Sequence, residues 1–168
     1  MRDFLPTLRG CVAVAVLVAS LQSATAQPAG PALDWRPYAD AETGTHVDFP
    51  SGLFPVEVGL PEHGTGRVFQ TNDGRAQFSV YALERDANET PRSYLQKNLK
   101  VDPSRIDYRR VTDRFFAVSG VRDGKVYYSR CNFHRQMHCI YIAYPDREMR
   151  SWDGIVTRIS LSLRGPQP

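Results

Sequence analysis

At 168 residues, with 42% hydrophobic and 23% charged side chains, the chain has the make-up of one globular domain rather than of a disordered or fibrous protein. Its 21 basic and 18 acidic residues leave a formal charge of only +3, too small an excess for a nucleic-acid binder, which needs a basic stripe to meet phosphates. The positive charge rests on 18 arginines and 3 lysines, a bias that a GC-rich genome explains more simply than anion recognition does.

Residues 1–26 read as a secretory signal. Arg2 and Arg9 flank the apolar run "CVAVAVLVASL", and Ala24 and Ala26 form an A-x-A cleavage site before Gln27. The run of 11 residues is too short to span a bilayer comfortably. No later stretch is apolar enough to do so. The expectation is a periplasmic or secreted protein with no membrane span after cleavage near Ala26. Cys11 precedes the apolar run, so "LRGC" is not a lipid-attachment box, and it leaves with the signal. Cys131 and Cys139 remain, an even pair bound for a compartment where disulfides persist.

The expected organisation after the signal is a flexible lead-in over 27–43, a single domain over 44–164 and a tail over 165–168. "QPAGPALDWRP" is rich in Pro, Gly and Ala, hence the lead-in. "GTHVDFP" alternates into a strand that Pro50 stops. Residues 51–66 are loop-rich, with room for one short extended piece. "GRVFQT" and "RAQFSVYAL" flank "NDG", a strong hairpin signal; centring the turn on Asp73-Gly74 puts Phe69 opposite Phe78. "TPRSYLQKNLK" is a helix, with Thr90 as cap, Pro91 in the first turn and a short apolar stripe of Tyr94, Leu95 and Leu99. "IDYRRVT" returns as a strand. "RFFAVSGVRDGKVYYSRCNF" is a second hairpin about Asp123-Gly124, and "HCIYIAYP" is a further strand ending at Pro145. In "DREMRSWDGIVTRISLSL", Asp146 is the expected cap, and Trp152, Ile155, Val156 and Ile159 recur at helix spacing. The order β-β-β-α-β-β-β-β-α, give or take a short strand, predicts an α+β fold. Its mostly antiparallel sheet, of about six to seven strands, is covered by helices.

The hairpin registers can be worked out. A two-residue loop at Asp123-Gly124 pairs Val121 with Val126 and Phe116 with Cys131. A loop centred on Arg135 pairs Phe133 with Met137 and Cys131 with Cys139, near enough for a disulfide. One sheet face then carries Phe116, Tyr127, Cys131, Cys139 and Tyr141, and the other carries Val126, Tyr128, Ile142 and Tyr144. Both are apolar, so both should be covered, giving three layers.

"CNFHRQMHC" also holds four metal-ligand types, Cys131, His134, His138 and Cys139. The register points His138 away from the sulfurs, leaves His134 in the loop, and the spacing misses the usual zinc pairs. A structural disulfide is therefore expected, with no metal or other cofactor; His134 with His138 is the metal alternative. Tyr127, Tyr128, Tyr141 and Tyr144 are candidates for a partner surface, although tyrosine also suits half-buried strands. The G-x-G of "PEHGTG" is followed by a strand, not the helix a phosphate loop needs, and neither G-x-S-x-G nor H-E-x-x-H occurs. No catalytic residue is assigned. His46 and Asp48, alternating on one strand face, are the only sequence-near start for a hydrolase site. "NET" makes a glycosylation sequon at Asn88.

Gly44, Val47, Phe49 and Pro50 at the opening strand, with Ile155, Ile159 and Leu161 in the closing helix, give the chain a pattern that resembles the PsbP/Mog-type α/β/α sandwich superfamily. The chain also resembles uncharacterised exported proteins of alphaproteobacteria. The resemblance implies a sheet packed between helices and an accessory, partner-binding role rather than catalysis. The expected function is thus a non-catalytic exported protein that binds a protein or envelope partner. The alternative is a small-molecule or metal-binding periplasmic protein.

Overall fold

The computed structural model describes residues 32–98 and 105–166; residues 1–26, expected to be a signal, and Leu99 lie outside the described residues. Among the described residues, nine strands and two α-helices follow in the order β1 (Trp35–Ala39), β2 (His46–Pro50), β3 (Val56–Gly59), β4 (Thr65–Gln70), β5 (Gln77–Leu83), α1 (Pro91–Asn98), β6 (Tyr108–Val111), β7 (Phe115–Arg122), β8 (Lys125–Phe133), β9 (Met137–Pro145) and α2 (Met149–Ser162). Strands β3 to β9 form one antiparallel sheet in the order β3-β4-β5-β9-β8-β7-β6, while β1 and β2 pair as a separate hairpin. The fold is α+β, with α2 and the β1–β2 hairpin on one face of the sheet and α1 on the other.

Local chemistry explains the sheet. Asp123 and Gly124 both adopt positive φ, 52° and 71°, the geometry a two-residue hairpin requires. Val121 then pairs with Val126 and Phe116 with Cys131. Phe69 pairs with Phe78, as the position of Asp73-Gly74 requires, but the ladder stops at Gln70–Gln77. Side chains close the wider turn beyond it: Thr71 Oγ1 donates to Asp73 Oδ1 at 2.7 Å, and Asp73 Oδ1 also accepts from the Arg75 amide at 3.0 Å. Thr90 caps α1 by accepting from the Ser93 amide at 3.1 Å.

Two expectations fail, each for a physical reason. Residues 35–39 belong to no flexible lead-in; they are β1, whose Trp35 pairs with Pro50 and Tyr38 with Val47. Their Pro- and Gly-rich surroundings hide the strand, but Trp35 and Tyr38 pack on the main core. Pro37 is tolerated because β1 is an edge. Nor does Asp146 cap the closing helix. Its amide donates to the Gly124 carbonyl at 3.1 Å, which keeps it tied to the β7–β8 turn, and a 3-10 turn over Asp146–Glu148 delays the α-helix.

The larger core lies under α2. Trp152 stacks on Tyr144 at 4.7 Å between centroids and tilts against Phe54 at 5.7 Å. Ile159, Ile140, Ile142, Phe78 and Val80 are each fully buried. At about 1.5–3 kcal/mol per buried aliphatic or aromatic side chain, this face supplies most of the driving force. The smaller core lies under α1, where Leu95 meets Phe116, Val118 and the two cysteines.

Candidate functional site

The four tyrosines do not form one surface. Tyr127 and Tyr128 are neighbours on β8, so their side chains leave opposite faces of the sheet. Tyr128 and Tyr144 join the core under α2, where Tyr144 is only 3% exposed and the Tyr128 hydroxyl meets Ser160 Oγ at 2.6 Å. Tyr127 and Tyr141 face α1. The expected partner patch is thus divided between two layers, and half of it is core.

The α1 side holds a cleft instead. Register builds its floor in rows: Phe116, Cys131, Cys139 and Tyr81 align across four strands, and Val118, Ser129 and Tyr141 align in the next row. Tyr94, Leu95 and Asn98 of α1 make the wall, since Asn98 lies three and four positions beyond Leu95 and Tyr94, on the same side of the helix. Tyr94 stacks on Phe116 at 5.8 Å. The described part of α1, Pro91–Asn98, stands beside the sheet face that forms the floor. Every residue of β9 is buried except Tyr141, where the floor opens. The resulting cavity measures about 200 Å³.

Its chemistry is aromatic and mostly uncharged. Burial pushes the phenols of Tyr81, Tyr94 and Tyr127 above the ordinary tyrosine value, most strongly at Tyr81, so they remain protonated at neutral pH. The Tyr127 hydroxyl donates to the Arg105 carbonyl at 3.4 Å. Gly120 makes that contact possible, because an added Cβ would strike the Arg105 carbonyl and crowd the Tyr127 hydroxyl. The described lining includes no histidine and no carboxylate; its one charged member is Arg122. Such a surface can hold a molecule.

The hairpin tip resolves into two separate features. Cys131 and Cys139 are directly paired, 4.1 Å apart at Cα and at disulfide distance at sulfur. They form part of the cleft floor. His138 leaves the opposite face and is 1% exposed. Its Nδ1 meets Thr45 Oγ1 at 2.8 Å, Thr45 meets Thr43 Oγ1 at 2.8 Å, and Thr43 donates to Asp40 Oδ1 at 3.0 Å. An added Cβ at Gly165 would strike the His138 ring, so the chain end packs directly on it. Burial first, then the nearby His134 and His46, hold its pKa down at about 4. The rings of His134 and His138 stand edge to face at 5.7 Å. Among the described residues no three His, Cys, Asp or Glu side chains come together to hold a metal ion.

His46 and Asp48 do not pair either. His46 Nδ1 contacts the Gly44 carbonyl at 2.9 Å, and Asp48 lies 3.9 Å from Arg158. The G-x-G glycines sit at the β3–β4 turn and on the first rungs of β4. Sequence reasoning missed the cleft and the Asp40–Thr43–Thr45–His138 chain. Thr45 and His138 are 93 residues apart, and no local spacing links them.

No family model matches the sequence, and no curated protein does. Among solved structures, the chain is similar to the solution structure of cyanobacterial PsbP (CyanoP) from Synechocystis sp. PCC 6803. The match has a TM-score of 0.62 at 13% identity, over 84% of this chain and 98% of that one. At that identity the likeness shows the fold, which is PsbP-like.

Proposed function

We propose that the protein is an exported, non-catalytic accessory domain that acts by binding, and that the cleft beneath α1 seats a small, largely apolar molecule. The cleft itself carries the reading: a cavity of about 200 Å³, walled by a helix, floored by the sheet and lined by aromatic rings with a few polar groups. The signal-like N-terminus and the cysteine pair support export. The test is a thermal-shift screen of the mature protein with small apolar compounds, repeated on Ser129→Leu, which narrows the cleft. Stabilisation lost in the variant supports the reading. No stabilisation by any compound, or an undiminished response in the variant, rejects it.

A protein partner is the second reading, favoured by the edge strand β3. Val56 and Val58 there, and Leu60 just after it, are 38%, 48% and 74% exposed, beside backbone groups that no further strand among the described residues covers. An extended segment of a partner could add to that edge.

A further inference from the structure

We infer that the cleft takes a single-ring aromatic carboxylate, its ring against the tyrosines and its carboxylate toward Arg122. The inference rests on the binding reading above and adds the chemistry of the ligand.

Size comes first. An apolar cavity of about 150 Å³ in another protein holds benzene, so a cleft of about 200 Å³ suits one ring with a short polar substituent. The lining suits a ring as well. Tyr94 and Phe116 stack in parallel on one side, and Tyr81 and Tyr141 stand in adjacent rows of the floor. Aromatic pairs gain about 0.5–1.5 kcal/mol beyond simple burial.

Charge decides the substituent. Val118, Gly120 and Arg122 alternate along β7, so Arg122 leaves the sheet on the cleft side. The space over Gly120 between them is filled by the Arg105 carbonyl and the Tyr127 hydroxyl, and Arg122 itself lines the cleft. Arg122 is exposed, and no described carboxylate pairs with it. A guanidinium at the mouth of an aromatic cleft matches a planar carboxylate, which it can hold by two parallel hydrogen bonds. A quaternary ammonium is the opposite choice, since tyrosine faces also attract cations. Asp107, close enough to act on the Tyr127 phenol, adds some negative charge, but it does not line the cleft, whereas Arg122 does.

The test is NMR titration of the mature protein with phenylacetate, its neutral counterpart phenylacetamide, and tetramethylammonium. Shifts of the Ser129 and Tyr141 amides locate the ligand. The inference expects phenylacetate to bind about fivefold more tightly than the amide, a margin set by the exposure of Arg122. Arg122→Gln, with an unchanged melting temperature, should erase that preference. Equal affinity for acid and amide, a preference that survives in Arg122→Gln, or tighter binding of tetramethylammonium each overturns the carboxylate assignment while leaving the binding reading standing. Failure of all three probes, and of every compound in the thermal screen, removes both.

Discussion

His138 is the residue on which pH should act most visibly. It is buried, uncharged and held through Thr45 and Thr43 to Asp40. Its folded pKa of about 4 lies below the ordinary 6.5, so between those values the unfolded chain binds the proton and the folded chain resists it. The contribution of neutral His138 is therefore complete above about pH 6.5 and falls away as pH drops through 4, by about 3 kcal/mol in all. The depressed carboxylates of Asp34, Asp40 and Asp73 act lower, below their ordinary value of 3.8. Urea unfolding at pH 7.5, 6, 5 and 4.5 should show the loss, and His138→Gln should flatten it. An unaltered slope in the variant would mean another group is responsible.

Among the elements, α2 covers the larger core. Trp152 joins helix to sheet through Tyr144 and to the β2–β3 connection through Phe54. Its Nε1 also donates to Glu148 Oε2 at 3.4 Å, while Glu148 Oε1 accepts from Arg75 at 2.7 Å. Trp152→Ala should lower stability by about 3–5 kcal/mol, chiefly through the cavity it leaves. Calorimetric melting checks this, and an unchanged curve would show that α2 docks without it. The β8–β9 hairpin contributes in a different way. A disulfide closing so short a loop stabilises by only about 2–3 kcal/mol, so its main effect is to hold the tip where Phe133 and Met137 meet the α1 layer.

For the molecule as a whole, the two layers divide the work. The α2 side carries the larger core, and the α1 side carries the cleft. Export predicts a chain beginning at Gln27 and lacking two hydrogens. Intact mass spectrometry of protein recovered from its own cell envelope, with and without reductant, measures both. A mass counted from Met1, or free thiols, would contradict export or the pairing respectively.

Much of this architecture was legible in the sequence because its determinants are local. A turn such as Asp123-Gly124 sets the register of its own hairpin, and register plus the two-residue alternation assigns every side chain to a face. That reasoning alone put Cys131 opposite Cys139 and His138 on the far side, and helix spacing alone placed Trp152, Val156 and Ile159 toward the core. What tertiary structure decided is whatever depends on two distant segments meeting. The strand β1 exists because Trp35 and Tyr38 find the core; the His138 chain exists because the β1–β2 turn meets β9; and the cleft exists because α1 packs beside strands distant from it in sequence. No window of sequence contains both partners of those contacts, so only the folded chain could reveal them.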